Sequence, residues 1–249
     1  MKYLLELKYN GKNYHGFQVQ DNHETIQGNL IKAANTVFNT DSSAIIGCSR
    51  TDASVSAKQY FATLSVPSGI EEKKVPKALN TYLPKDICVY KASIVDEGYA
   101  IHEHVMGKEY IYTILNGDFD DPFYTDSTFF YNRKLDVDKM NEAAEHIIGK
   151  KDFKCFMASG SKIEDTVRTV EKCFAEVENE DGNRLVKIHV QADGFLYNMV
   201  RIISGTLLEV SEGKIDVCEI EEIIESKDRL KAGRTLPGKG LVLNRVFIK

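Results

Sequence analysis

The hydrophobic positions of this chain repeat with two different periods. Residues 3–9 alternate apolar and polar side chains, which is typical of a half-buried strand. Residues 25–38 instead place apolar side chains three or four positions apart, as one face of a helix requires. The sequence therefore predicts that the chain opens with a strand, a loop and a helix.

The same two periods continue through the first half of the chain. They predict strands at 44–48, 60–66 and 87–95 and a helix at 71–82. The helix should end before Pro84, because proline disfavours helical geometry at the residue that precedes it. The loop that follows residue 48 then joins two strands.

The second half of the chain continues the mixture of strands and helices. Its predicted elements are strands at 108–115, 169–177, 185–192 and 241–247 and helices at 136–148, 199–210 and 216–225. Asp136 suits a helix N-cap, and Gly149 lies just past the end of the same helix. Asp181 and Gly182 predict a two-residue hairpin turn between two of the strands.

The order of these elements indicates the fold class. Strands and helices do not alternate strictly enough for a parallel doubly wound sheet, which favours an α+β protein with antiparallel sheets. Residues 96–107 form a plausible junction between an N-terminal half, 1–105, and a C-terminal half, 106–249. The two halves show no sequence repeat, although they can still be structural copies of one another.

Composition narrows the class of protein. The chain has 249 residues, 43% of them hydrophobic, which is enough for an ordinary buried core. Its five cysteines are scattered and contain no closely spaced pair, so we expect reduced thiols rather than disulfides or a zinc site. The sequence shows no signal-like start and no apolar run of membrane-spanning length. We therefore expect a soluble, cytoplasmic protein that has no membrane partner.

Charge restricts how the protein can bind nucleic acid. The formal net charge of −5 argues against coating nucleic acid through bulk positive charge, but it leaves room for a local basic cleft. Four basic residues lie inside motif-like stretches, namely Arg50, Lys58, Arg168 and Arg201.

One carboxylate stands out as candidate chemistry. Asp52 follows Arg50 and Thr51 and precedes small residues, so a bulky ligand can approach it closely. The structural alternative is an Asx turn, in which the carboxylate bonds its own backbone. Upstream, residues 9–20 place glycines and aromatic rings directly after the first strand, where backbone can approach a ligand and rings can stack.

Taken in order along the chain, these segments resemble the tRNA pseudouridine synthase A (TruA) family. The resemblance is carried by 9–20, Arg50–Asp52, 108–112, Asp152–Phe153, Arg168–Thr169, 194–201 and Gly240–Leu241. It implies two related α/β halves with antiparallel, partly mixed sheets that flank a central RNA-binding cleft. It also implies a homodimer that isomerises uridine to pseudouridine in tRNA, in the anticodon stem-loop, without a metal or an organic cofactor.

The resemblance also assigns roles to residues. By motif match Asp52 is the nucleophile, and Tyr110 and Arg201 complete the catalytic set. The expected substrate-binding residues are Arg50, Thr51, Leu241, Tyr14, Gln18, Lys58 and Arg168. A carboxylate suits attack on, or stabilisation of, an electron-poor sugar carbon, and a guanidinium would keep it ionised in a dry pocket.

Each role has a structural alternative. Tyr110 offers a face for stacking on an extruded uracil and a phenol for proton relay. Tyr110 and Tyr112 share one face of a strand, however, and can equally be core aromatics. His102 and His104 have the spacing of metal ligands on a strand, but no third ligand accompanies them.

The chain departs from the family pattern around two motifs. Ser49, Ser54 and Ser56 stand where most members carry Gly, Gly and His, and Glu103 adds negative charge to a stretch that usually carries an arginine. Ser54 is strained if its position needs a positive φ. These changes leave two alternatives open, a diverged paralogue acting on another RNA such as rRNA and a catalytically silent RNA-binding or folding factor. A third alternative, a hydrolase of N-glycosidic bonds in free nucleosides, would use the same chemistry of Asp52.

Overall fold

The computed structural model describes residues 1–161 and 163–249. The chain forms two compact units, one made of residues 1–106 and 243–249 and the other of residues 107–242. In the described part of the chain, no helix has both the length and the apolar character needed to cross a membrane. Helices pack on a sheet in each unit.

The first unit contains most of the predicted N-terminal elements. Its elements are β1 (Lys2–Tyr9), α1 (Ile26–Phe38), β2 (Ala44–Gly47), β3 (Ser56–Ser65), α2 (Val75–Asn80), β4 (Ile87–Val95) and α3 (Ile101–His104). Strand β10 (Leu241–Ile248) returns the chain to this unit, and its residues from 243 onward lie beside β3. The predicted opening of strand, loop and helix is confirmed.

The sheet of the first unit is antiparallel, with β3 between β2 and β1, and β4 beyond β1. Alternation along β1 explains its orientation. Tyr3, Leu5 and Leu7 are fully buried on one face, whereas Lys2, Leu4 and Glu6 are only half-buried on the other. A one-residue slip would exchange the two faces, so burial fixes the register of Leu5 against Ala62.

Helix α1 covers the buried face, and its ends follow ordinary capping chemistry. The Thr25 side chain accepts the Gly28 N–H at 3.2 Å, and Asn39 ends the helix in the left-handed region at φ 46°. Ile26 and Leu30 are fully buried, so apolar burial and both caps agree on where the helix lies.

The second unit holds a mixed sheet. Its elements are β5 (Val105–Asn116, from residue 107 in this unit), β6 (Phe129–Tyr131), α4 (Val137–Glu145), β7 (Gly149–Asp152), β8 (Val167–Glu180), β9 (Asn183–Ala192), α5 (Met199–Ser211) and α6 (Glu219–Ser226). Strands β5, β9, β8 and β7 pair antiparallel in that order, and β6 pairs parallel with β5. The predicted α+β class with antiparallel and mixed sheets is confirmed.

Local chemistry sets two boundaries of this unit as predicted. Asp181 and Gly182 have φ values of 52° and 80°, which fits a two-residue hairpin turn of the primed type between β8 and β9. The Asp136 side chain accepts the Lys139 N–H at 3.1 Å and caps α4.

Helix α5 lies very close to the segment that follows α6. A Cβ added to Gly205 would lie 1.8 Å from the Arg234 carbonyl oxygen, and the Gly233 N–H donates to the Thr206 hydroxyl at 2.9 Å. Only glycine permits the first of these approaches. The helix and residues 233–236 are therefore held together as one piece.

The structure corrects several predictions. The helix predicted at 71–82 is a 3₁₀ turn, Glu72–Lys74, followed by the short α2, which has Pro76 in its first turn. His102 and His104 lie on one helical turn, α3, so their predicted strand spacing was wrong. Strands β6 and β7 have only three and four residues, too few to reveal a period.

Candidate active site

Asp52 lies in the loop that joins β2 to β3, as predicted. Its side chain is half-buried, and its carbonyl accepts the Val55 N–H at 3.2 Å, which closes a tight turn. Within the turn Ser54 adopts φ 64°, a left-handed conformation that is costly for a residue with a Cβ. The strain predicted for Ser54 is therefore present.

The segment after β1 holds this loop at several points. Its hydrogen bonds are Tyr9 hydroxyl with Thr51 hydroxyl at 2.9 Å, Ser54 N–H to Tyr14 carbonyl at 3.0 Å, Gly11 N–H to Ser56 hydroxyl at 2.9 Å, and Phe17 N–H to Thr51 carbonyl at 3.3 Å. Two of these four bonds reach Thr51, directly before Asp52. We call residues 9–17 the loop clamp.

Two glycines allow the loop clamp to come this close. A Cβ on Gly11 would lie 2.1 Å from the Val55 carbonyl oxygen, and one on Gly16 would lie 2.2 Å from the Thr51 carbonyl oxygen. Gly16 also adopts φ 83°. The glycines that the sequence predicted to approach a ligand approach the Asp52 loop itself.

Tyr14, predicted to bind substrate, is buried at 6% exposure. Its hydroxyl donates to the Asp86 carboxylate at 2.5 Å. Burial raises the pKa of Tyr14, and the neighbouring carboxylate raises it further. These contacts anchor the ring against Asp86, a residue that no sequence motif indicated.

The other predicted binding residues of the first unit differ in exposure. Thr51 is buried, whereas Arg50, Gln18 and Lys58 are exposed. Arg50 and Gln18 line the same surface groove, and Lys58 lies on β3. Tyr60 on β3 also fixes the loop. Its hydroxyl accepts the Ser49 N–H and donates to the Ser49 carbonyl.

Tyr110 lies on β5 in the second unit, paired with Val190, and Tyr112 points to the same face as predicted. Tyr110 is 6% exposed, and the Phe195 ring meets it edge-on, with the two centroids 5.1 Å apart. Phe195 belongs to the loop that precedes α5, so this contact ties Tyr110 to the segment that carries Arg201.

Arg201 lies in the first turn of α5 and is half-buried. Its Nε donates to the Leu236 carbonyl at 2.7 Å, and its Nη1 donates to the Asn198 side-chain oxygen at 2.5 Å. Asn198 is the N-cap of α5 and lies in the left-handed region at φ 60°. Two fixed acceptors therefore orient the guanidinium plane.

Leu241 is buried and begins β10. The segment before it is fixed to β5, because the Tyr112 hydroxyl donates to the Pro237 carbonyl at 2.8 Å. A Cβ on Gly240 would lie 2.8 Å from Cζ of Tyr112, so the backbone runs directly over that ring. Burial raises the pKa of Tyr112, and the charge of Arg201 opposes that rise.

Arg168 lies on β8 and donates to two nearby backbone groups, the Asp165 carbonyl at 3.1 Å and the Val167 carbonyl at 2.6 Å. Its Nε would lie 3.2 Å from a Cβ on Gly194, at the start of the loop that leads to α5. Arg168 thus covers that loop.

The predicted pairing of Asp52 with Arg201 joins residues of different units and stays a prediction.

Comparison with known proteins agrees with the motifs. A family model described as tRNA pseudouridine synthase matches residues 143–247. Curated relatives named tRNA pseudouridine synthase A are 40% identical in Clostridium kluyveri and 40% identical in Acetivibrio thermocellus, each over 98% of this chain and 98% of the relative. Another from Clostridium perfringens, named tRNA pseudouridine synthase A 2, is 41% identical over the same shares.

These matches show that the chain is a pseudouridine synthase, an isomerase that acts on RNA. Within that class it belongs to the tRNA pseudouridine synthase A family. The resemblance carried by the motifs is therefore confirmed.

Proposed function

We propose that this protein isomerises uridine to pseudouridine in tRNA and that Asp52 is the nucleophile. The observation that supports this role most is the fixation of the Asp52 loop. Hydrogen bonds from the loop clamp reach Thr51 and Ser54, on both sides of the carboxylate. A nucleophile gains most when its position is set before the substrate arrives, and a half-buried carboxylate on a fixed turn meets that need.

The reaction explains why a carboxylate is needed. The bond from C1′ to N1 of uracil breaks and a bond from C1′ to C5 forms, while C5 loses its proton and N1 gains one. The sugar carbon is therefore electron-poor between bond cleavage and bond formation. The Asp52 carboxylate attacks or stabilises that carbon, much as a glycosidase carboxylate does. The detached uracil must stay in place while it turns, which requires an enclosed pocket.

Arg201 and Tyr110 complete the proposed catalytic set. Arg201 keeps Asp52 ionised where water is excluded, because an unpaired buried carboxylate would take up a proton. Tyr110 stacks on the extruded uracil, and its phenol relays a proton. The bonds from Arg201 to Leu236 and Asn198, and the ring contact of Tyr110 with Phe195, support these roles by fixing both side chains. Leu241 closes the pocket.

The serines that depart from the family pattern are compatible with activity. Ser54 adopts the positive φ for which glycine is preferred, so the turn keeps its shape at the expense of strain. The Ser56 hydroxyl accepts the Gly11 N–H, so it contributes to the loop clamp. These contacts favour an active enzyme over a catalytically silent folding factor.

The proposed partner is tRNA, with the anticodon stem-loop as the first region to examine. We also propose a homodimer and a cytoplasmic location, both on the strength of the family resemblance. Light scattering of the purified protein tests the dimer, because a monomer at micromolar concentration would contradict it.

Mapping of pseudouridine decides the central proposal. Cellular tRNA is incubated with the wild-type protein and with Asp52→Asn, and each modified position is read at single-nucleotide resolution. We expect new pseudouridine with the wild type and none with the variant. Identical maps would overturn the proposal; RNA binding that is indifferent to Asp52→Asn would then favour a folding factor, and release of free uracil would favour a hydrolase.

A further inference from the structure

A groove of about 440 Å³ runs along the outer edge of β2, at the foot of the Asp52 loop. The residues that matter for its chemistry are Gln18, Gln27, Ile46, Gly47, Arg50 and His102. All of them belong to the first unit. Among the described residues that line the groove, Phe17 belongs to the loop clamp, and none belongs to the proposed catalytic set.

The lining combines an apolar surface with polar groups. Ile46 is 46% exposed, and its side chain gives the groove an apolar surface. Arg50 and His102 are both exposed, and the described residues that line the groove include no carboxylate. A planar apolar ligand that carries negative charge matches this combination.

The wall of the groove is fixed. The Gln27 side chain donates to the Ile45 carbonyl at 2.7 Å and accepts the Val19 N–H at 2.8 Å, which joins α1 to the edge of β2. Within the described residues β2 pairs only with β3, and backbone groups alternate in direction along an antiparallel strand. The backbone of Gly47 therefore turns to the same outer side as that of Ile45.

The position of the groove relates it to the proposed reaction. Arg50 is two residues before Asp52, so their Cα atoms are at most about 7.6 Å apart. That separation is on the scale of one nucleotide step. A polynucleotide with its uridine at Asp52 has its neighbouring nucleotide within reach of Arg50 and the groove.

We propose that this groove binds one unpaired nucleotide of the RNA, adjacent to the uridine that Asp52 attacks. The inference rests on the proposed function. The base lies against Ile46 and His102, Arg50 faces its phosphate, and the outward N–H and carbonyl of Gly47 bond the edge of the base. Recognition of splayed-out bases through such edges is how proteins read single-stranded RNA.

A peptide strand is the competing occupant, because β2 is an edge strand. The edge has only four residues, Ala44–Gly47, and one of its outward carbonyls already accepts from Gln27. It leaves too few backbone groups to hold an added strand by main-chain bonds. The Arg50 guanidinium also favours a phosphate ligand over a neutral peptide.

Binding measurements test the groove apart from catalysis. The protein carries Asp52→Asn throughout, so no turnover enters the result, and filter retention gives Kd for a tRNA transcript. Each unpaired nucleotide of the anticodon loop is replaced in turn by an abasic residue. One abasic position, next to the target uridine, should weaken binding by about fivefold or more.

Ile46→Asp supplies the matching protein change, with Ile46→Ala as a milder variant. Ile94→Asp is the control, since Ile94 is 49% exposed and lies on β4, at the opposite edge of the first unit's sheet from β2. Ile46→Asp should weaken binding of the intact RNA by a similar factor and abolish the effect of that one abasic position. Ile94→Asp should change neither.

Two results would overturn the groove proposal. One is an unchanged Kd for intact RNA in both Ile46 variants, which would leave a peptide as the candidate occupant. The other is an abasic effect that persists in full in Ile46→Asp. Neither bears on the pseudouridine map, so failure of the groove and failure of the proposed function remain distinguishable.

Discussion

Ser54 donates its backbone N–H to the Tyr14 carbonyl at 3.0 Å while its own backbone is held at φ 64°. The bond comes two residues after Asp52, and it fixes the turn in a conformation that a residue with a Cβ avoids. The strain at Ser54 and the loop clamp thus act on the same turn. Changes to either should alter stability and catalysis in ways that can be separated.

Replacing Ser54 by glycine should stabilise the protein. Relief of the left-handed conformation should add about 1–2 kcal/mol to the free energy of unfolding. The greater flexibility of glycine in the unfolded chain should subtract about 0.5–1 kcal/mol. We expect Ser54→Gly to raise the free energy of unfolding by about 0.5–1 kcal/mol, measured by urea denaturation. Ser54→Val, β-branched at the same φ, should lower it; stabilisation by valine would show that the turn is not strained.

Gly11→Ala should damage catalysis through the loop clamp. The new Cβ has no room beside the Val55 carbonyl oxygen at 2.1 Å, so the loop must shift. A displacement of about 1 Å at a reacting group can reduce kcat about 100-fold. Gly98→Ala is the matched control, because a Cβ there would meet no atom of the described residues within 4 Å. A Gly11→Ala enzyme with wild-type kcat would contradict a positioning role for the clamp.

Most of the fold follows from hydrophobic period. Strand β4 begins and ends at Ile87 and Val95, where alternation predicted it, and α5 differs from its prediction by one residue at its end. Period did not reveal β6 and β7, and the strand spacing assigned to His102 and His104 was wrong. Such short segments contain less than one repeat of any pattern, so tertiary contacts decide their structure.

The candidate site also has a part that the sequence predicts and a part that it does not. A motif can point to Asp52 or Arg201, because it records which residue types occur together. It does not record that Tyr14 bonds Asp86, since 72 residues separate the two side chains. Nor does it show that Gly11 and Gly16 approach protein backbone rather than a ligand. Such long-range packing becomes visible only once the chain has folded.

Tyr14→Phe separates anchoring from substrate stacking. If the ring contacts substrate through its face, phenylalanine keeps that contact and the enzyme should work normally. If the hydroxyl bond to Asp86 positions the loop clamp, both Tyr14→Phe and Asp86→Ala, each of which removes the bond, should lower kcat with little change in KM. We expect the second pattern, with kcat reduced about tenfold in single-turnover assays. A wild-type kcat in Tyr14→Phe would exclude the anchor.

Asp152 should contribute to stability in a pH-dependent way. Lys227 bonds its carboxylate at 2.8 Å, and this bond, followed by that from Thr166, holds the pKa of Asp152 below its usual value. Because the folded pKa is depressed, the stabilisation is complete above the unfolded pKa of about 3.9 and is lost as pH falls through the folded pKa.

The variant Asp152→Asn tests this dependence. At pH 7 it should unfold with about 1 kcal/mol less free energy than the wild type, and the difference should shrink below about pH 4. Asp118→Asn changes an exposed carboxylate in the same unit and should unfold like the wild type at every pH. A difference for Asp152→Asn that stays constant down to pH 3 would contradict the depressed pKa.

The variant Arg201→Lys tests whether the site needs only a positive charge or also an oriented guanidinium. Lysine keeps the charge but cannot bond the Leu236 carbonyl and the Asn198 oxygen in one fixed plane. We expect kcat to fall at least about tenfold, with tRNA binding little changed.

Arg229→Lys is the control, because Arg229 also makes two guanidinium bonds in this unit, to the Ala232 carbonyl and the Thr235 hydroxyl. It should reduce the free energy of unfolding while kcat stays at the wild-type value. If Arg201→Lys retained full activity, charge alone would suffice and the two fixed acceptors would have only a structural role.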